Sequence, residues 1–234
     1  MSRIEEYWSS FFGLSIDDYV RQPIQIVPHR SLGDYCGVWM LKVGSARILS
    51  APPNLVDTLR SAVEAHGADL PFEGTDLIET LGAAVVKVVG PAYQGFLHES
   101  EFRASPSAAR LLTSSDASAL VDLSTDCSEE EWEHSDIGDL NCPTFGLYAE
   151  GRLAAAANYR MESIDACAPG VITHPAFRGH GYGRAVLSAA TADALDKGYL
   201  VLYQTLLTNL PAITIAEHLG FRQYGESLAV RLSG

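Results

Sequence analysis

No run in this sequence approaches the ~20 consecutive apolar residues that a membrane-spanning helix needs. Its opening stretch, MSRIEEYWSSFFGLS, carries Arg3, Glu5 and Glu6 and lacks the apolar segment of about 7–15 residues found in a secretory leader. A cytoplasmic protein without a membrane partner is therefore expected. Cysteine is scarce: Cys36, Cys127, Cys142 and Cys167 include no C-x-x-C pair and no histidine at metal-ligand spacing. Neither a disulfide framework nor a metal site is expected. Positive charge is sparse too, with 16 Lys+Arg against 29 Asp+Glu and a net charge of −13. A surface of that sign repels a phosphate backbone, which argues against nucleic acid and mildly favours amine-bearing ligands.

What the chain does have is the composition of a folded globular protein, 47% hydrophobic, 19% charged and 9% aromatic over 234 residues. That is enough for one large domain or two modest ones. Ile4, Tyr7, Trp8, Phe11 and Phe12 recur at helical spacing behind a Ser2/Glu5 capping box. A hairpin is expected over 35–50 with its turn near Gly44 and Ser45, then helices over 52–67 and 75–82 and a buried strand over 83–90. Residues 90–108 mix proline, glycine, serine and charge without period and read as a linker, with a domain boundary near residue 105. Beyond it the expected order is β-α-α-β-β-β-loop-α-β-α-β, a mixed α/β pattern without repeats. It comprises a strand at 109–113, capped helices from Ser114 and Ser128, two strands within 143–161 joined at Glu150 and Gly151, and a strand ending at Pro175. A helix over 183–197, a strand over 199–207, a helix over 210–220 and one or two strands over 221–232 complete it.

Between the strand ending at Pro175 and the next helix stands RGHGYGRA, with glycine at 179, 181 and 183. Each glycine costs about 0.5–1 kcal/mol against alanine in a helix, so three together need a reason. A strand feeding a glycine loop that opens a helix presents unpaired N–H groups and the positive end of the helix dipole at one place, which suits phosphate. The spacing is not that of a dinucleotide loop, and the next strand, YLVLYQT, ends without the acidic residue that would hold a ribose. Arg184 and Ala185 stand where a P-loop needs Lys and Ser or Thr.

The stretch resembles the pyrophosphate loop of the GNAT acetyltransferases, whose [RQ]-x-x-G-x-[GA] pattern Arg178, Gly181 and Gly183 satisfy. Asn209, Ala212, Ile213 and the LGF at 219–221 extend the resemblance over about residues 106–234. It implies a GNAT fold, an α/β arrangement on a mixed sheet, at 106–234, preceded by a smaller α/β domain at 1–105. It also implies acetyl-CoA as co-substrate and a small-molecule or peptide amine as acceptor. By the same resemblance the backbone of Val171, Ile172 and Thr173 holds the pantetheine arm, and Asn209 holds its far end. The amides of Arg178, Gly179, His180, Gly181, Tyr182, Gly183 and Arg184 wrap the pyrophosphate. A carboxylate side chain placed at 181 or 183 is expected to repel that phosphate while leaving the fold intact.

The family pattern breaks at one position. Many relatives carry a tyrosine seven residues after the asparagine to protonate the leaving thiolate, and Ala216 stands there. A thiol with a pKa near 8.5 leaves without such help, if more slowly. Tyr203, which strand alternation sets on one face with Tyr199, Val201 and Thr205, is the candidate substitute acid if that face meets the cleft, the alternative being a packed ring with its hydroxyl satisfied locally. The base that frees the acceptor's lone pair is sought among Glu162, Glu133 and Glu131, although Glu131 is also explained as a helix cap and the others as solvated charge. His134 reads as packed beside Trp132, and His218 as surface. Two functions stay open at this point: an N-acetyltransferase working by direct attack, and a CoA-binding module that senses or assembles without catalysis. For residues 1–105 three roles stay open: a cover over the acceptor site, the interface of a homodimer, or a decayed second acyltransferase half.

Overall fold

The computed structural model describes all residues except 1, 16, 17, 19–21, 68–71, 107 and 139. It divides into two compact units interleaved along the chain. Residues 1–94, 205–209 and 223–234 form the first unit, and residues 95–204 and 210–222 the second.

The first unit opens with α1 (Arg3–Phe12), capped by the expected Ser2/Glu5 box and closed by Gly13 in the left-handed region. Strands β1 (Ile24–Pro28), β2 (Gly37–Val43) and β3 (Ala46–Ala51) follow, with the hairpin turning at Gly44 (φ 58°). Helices α2 (Val56–His66) and α3 (Gly74–Leu81) lead to β4 (Val85–Leu97), which leaves this unit after Gln94. The last strand, β10 (Arg222–Leu232), belongs here from Gln223 onward and pairs antiparallel with β2. The strand order is β1-β3-β2-β10-β4, with β1 and β3 parallel. Side chains at alternate positions line one face: Val38 and Met40, Leu49 and Ala51, and Leu228 and Val230 bury against Leu59 of α2 and Leu77 of α3. The opposite face carries Trp39, whose ring lies 5.5 Å from that of Trp8 on α1.

The second unit holds β5 (Arg110–Leu111), α4 (Ala117–Asp126), α5 (Glu129–Ser135), β6 (Thr144–Ala149), β7 (Arg152–Met161), β8 (Ala166–Thr173), α6 (Tyr182–Asp196), β9 (Leu200–Leu206, in this unit to Gln204) and α7 (Leu210–Leu219). Its strand order is β9-β8-β7-β6-β5, with only β8 and β9 parallel. The alanine run of β7, Ala154–Ala157, is fully buried; small side chains let helices approach both faces. Ala156, with Leu153 and Ile172, packs into a core with Leu120 and Leu123 of α4. Val186, Leu187, Ala190 and Ala194 form the fully buried stripe of α6.

The element order after residue 109 is the expected one. Two expectations fail. Residues 90–97 are not linker but the second half of β4: Gly90 and Pro91 sit inside a strand. Residue 107 of that expected linker lies outside the described residues. The strand expected over 83–90 is the first part of β4 but is not buried, since Val86 and Val88 are exposed; β1, which ends on Pro28, corresponds to no expected element. Each unit is a mixed α/β layer structure.

Candidate active site

The geometry of RGHGYGRA explains its three glycines, and they have two different reasons. After β8 ends at Thr173, His174 caps a short 3-10 turn, Pro175–Phe177, beyond which Arg178 is extended (φ −67°, ψ 153°). Gly179 (φ 81°) and Gly181 (φ 79°) are left-handed, a conformation that costs other residues roughly 1–2 kcal/mol. Gly181 is the N-cap of α6. No atom lies within 4 Å of where a β-carbon on Gly179 would sit, and at Gly181 only Arg184 Nη2 does, at 3.8 Å. Gly183 is different: a β-carbon there would meet Thr173 Oγ1 at 2.6 Å and approach Ile215 and Val171. It lets α6 settle on β8. The expectation that a carboxylate at 183 spares the fold is therefore corrected, because that side chain would be driven into packed atoms.

The first backbone bond of α6 runs from the Ala185 N–H to Gly181 O at 3.1 Å. Among the described residues, the N–H groups of Gly179 to Arg184 have no acceptor within the chain. These donors flank an open cavity of about 560 Å³ bordered by Ser105, Tyr148, His180, Tyr182 and Arg184. Unpaired donors around a helix start on open space are a cradle for an anion.

β8 lies just before the loop. Its pairing with β9 is confined to Ala166–Leu200 and Cys167–Val201, whereas with β7 it is paired through Thr173. Past Cys167 the two parallel strands part, so the β9-facing side of Val171, Ile172 and Thr173 offers its backbone groups to an added extended chain. Gly170 permits close approach on a face of β8, where a β-carbon would stand 1.8 Å from Ser135 O at the end of α5.

Arg178 donates through Nε to Thr173 O at 3.2 Å and through Nη2 to Glu131 Oε1 at 2.7 Å. Glu131 also completes the capping box of α5 with Ser128. The Ser128 N–H, then its hydroxyl and the Arg178 charge, outweigh partial burial and hold this carboxyl below its ordinary range. Both roles leave Glu131 committed to structure.

The other expected groups scatter. Tyr203, on β9, is 2% exposed with its ring 5.4 Å from that of Phe221. Ala216 is fully buried on α7. Glu133 lies on the exposed side of α5. Glu162 sits in the β7–β8 turn, its N–H on Ala166 O and its carboxylate 3.4 Å from Arg160. At about 3.3 Å per residue, that end of β8 is roughly 13 Å from Gly170 and farther from the loop. Asn209 belongs to the first unit, where its N–H bonds Leu206 O at 2.9 Å. His134 is exposed rather than packed, and His218 is exposed with Nδ1 on Thr214 O. Sequence reasoning missed His174, which is 6% exposed and engages both ring nitrogens.

Two cysteines of this unit are poor nucleophiles. Burial pushes the Cys167 thiol up to about 12 and also raises Cys127. Among the described residues no cluster of three His, Cys, Asp or Glu could hold a metal ion, and no helix is long and apolar enough to cross a membrane.

Compared with known proteins, residues 110–221 match the acetyltransferase (GNAT) family. Among solved structures, a GNAT-family acetyltransferase from Colwellia psychrerythraea superposes with a TM-score of 0.55 at 15% identity, covering 79% of this chain and 76% of that one. A GNAT-family protein from Novosphingobium aromaticivorans gives 0.52 at 23% identity, over 64% of this chain and 67% of that one. At such identities the likeness is one of fold. No protein of curated function matches the chain.

Proposed function

Residues 110–221 place this chain in the acetyltransferase (GNAT) family, and from that premise we propose that it moves the acetyl group of acetyl-CoA to the nitrogen of a primary amine, small or peptidic. One observation carries the reading. Consecutive unpaired N–H groups at the mouth of α6 adjoin a strand edge that is open from Val171 to Thr173. A diphosphate fits the first and an extended pantetheine arm the second.

Acyl-CoA supplies a thioester whose carbonyl carbon accepts the nucleophile. In direct attack the amine nitrogen forms the C–N bond, the C–S bond breaks, CoA departs as a thiolate that takes up a proton, and the amine gives one up. The raised Cys167 and Cys127 thiols favour this course over one through an acyl-cysteine. The loop and the strand then act by holding the thioester in place, which is where most of the rate arises.

Within this reading Asn209 fixes the far end of the arm and Tyr203 protonates the thiolate. Glu133 and Glu162 are the carboxylates to test as bases through their glutamine variants. Residues 106–234 form the acyltransferase domain and 1–105 an α/β domain that covers the acceptor site, joins two copies or is a decayed second acyltransferase half. The negative charge favours an amine over nucleic acid, and the cysteines, free of disulfides, suit a cytoplasmic location.

Calorimetry with CoA and thiol release from acetyl-CoA across an amine panel test the proposal. Binding together with amine-dependent thiol release is the expected result. Binding without release across the panel would favour the non-catalytic module, and absence of binding would remove the proposal.

A further inference from the structure

We infer that His174 is a positioning residue for the acyl-CoA loop: its neutral imidazole is the template on which the corner between β8 and the loop is folded. The inference rests on the proposed function, because it concerns how the cradle for CoA is aimed.

The ring is 6% exposed and held from two sides. Nδ1 accepts the Ala176 N–H at 3.0 Å, and Nε2 lies 3.2 Å from Asp126 Oδ2. A backbone N–H can only donate, so Nδ1 must carry a lone pair and the ring proton sits on Nε2, facing the carboxylate. Asp126 is in turn held by Arg152 Nη2 at 2.6 Å. Asp122, also on α4, borders the same small cavity beside the ring, and no further charged side chain lines it.

The backbone of the corner is closed too. The His174 N–H bonds Ala154 O on β7 at 3.0 Å, and the Phe177 N–H bonds His174 O at 2.9 Å. The Phe177 ring lies tilted at 5.2 Å from the imidazole and at 6.3 Å from the ring of Tyr182 in the first turn of α6. Downstream come Gly179 and Gly181, the least restrained residues of the loop. The direction in which their N–H groups point is thus set in part upstream, by a corner that His174 holds through the Ala176 N–H and Arg178 through Thr173 O, while the His180 ring lies 2.9 Å from Arg178 O within the loop. Displacement of such a support by about an ångström is enough to lose a ligand held by many weak donors. His174 does not touch the loop donors themselves, so it acts on the cofactor through the Ala176 amide.

The test is CoA affinity by calorimetry, with thermal unfolding of each ligand-free variant alongside. His174→Asn keeps a side-chain oxygen able to accept an N–H two residues on, and is expected to bind CoA within about threefold of wild type. His174→Leu keeps the bulk but strands the amide, and should weaken CoA by about tenfold or more. A leucine variant that binds like wild type, or an asparagine variant as weak as leucine, overturns the inference. Should the leucine variant not fold, a cycle decides: Asp126→Ala should weaken CoA about threefold beside His174 and not at all beside His174→Asn, which cannot reach Asp126. Equal effects in both backgrounds overturn it. Wild-type protein that does not bind CoA would instead remove the proposed function, a different failure.

Discussion

Arg178 and Glu131 form an ion pair, Nη2 to Oε1 at 2.7 Å, that ties the start of the glycine loop to the first turn of α5. Nε of the same arginine is spent on Thr173 O, so two nitrogens of the half-exposed guanidinium are engaged within the protein. The charge of a bound diphosphate would then be met by main-chain N–H groups. Arg178→Met is accordingly expected to lower CoA affinity by less than about tenfold, and to cost no more than about 1 kcal/mol because both partners are half-exposed. Calorimetry and urea unfolding check the two halves.

The glycines separate by mechanism. Gly181→Ala introduces left-handed strain of about 1–2 kcal/mol with little contact. Gly183→Ala sets a β-carbon 2.6 Å from Thr173 Oγ1 and is expected to destabilise more. Thr173→Ala should recover part of the Gly183→Ala loss and none of the Gly181→Ala loss, a coupling that thermal unfolding of the double variants measures. Gly181→Glu adds the same left-handed strain together with a carboxylate at the cradle, so it is expected to weaken CoA binding far more than Gly181→Ala with the fold retained, which calorimetry on the two variants checks.

Tyr159 of β7 predicts an alkaline transition. Its hydroxyl bonds Asp193 Oδ2 at 2.5 Å and receives Lys197 Nζ at 2.6 Å. Burial, and then the bond to Asp193, pushes this phenol up to about 12, and its partners raise Lys197 as well. For Asp193 burial pushes upward, but the bonds from Lys197 and Tyr159 prevail and lower it. Raised groups stabilise below their unfolded values, so the Tyr159 and Lys197 contribution is complete below about pH 10 and fades as pH climbs toward 12. The Asp193 contribution is present above its ordinary 3.8 and is lost as pH falls through the lowered value. Tyr159→Phe should cost about 1 kcal/mol at neutral pH and flatten the alkaline loss. Unfolding at a series of pH values and tyrosinate absorbance check this.

Ala216 stands where the family resemblance implies a tyrosine in many members. The residue is fully buried, so Ala216→Tyr should overpack α7 by about 1–3 kcal/mol without raising the rate. Tyr203→Phe keeps the ring contact with Phe221 and removes only the hydroxyl. If the phenol is the acid, kcat falls by about 10² or more with loss of the alkaline limb of the pH profile, while stability stays within about 1 kcal/mol. An unchanged profile would return Tyr203 to packing.

Much of this was legible in the chain because its causes are short-range. The Ser2/Glu5 and Ser128/Glu131 boxes are both present, since a cap needs only residues three apart. The left-handed turns at Gly44, Gly151 and Gly198 fall where glycine punctuates the pattern. The reading stumbled at Gly90 and Pro91, where local punctuation pointed to a linker and the packing of neighbours keeps a strand going. His174 carried only a weak signal, a histidine before proline at a strand end, because its partner Asp126 lies 48 residues away.

From sequence alone come the helix starts, the turns and the need for bare backbone at Gly179 and Gly181. Each is an energy between atoms a few bonds or one turn apart, which any window of the chain contains. Folding alone reveals that β10 pairs with β2, that the missing side chain of Gly183 makes room for Thr173, and that Glu131 holds Arg178. Those partners meet only after long loops close, and their energies depend on the whole arrangement that brings them together.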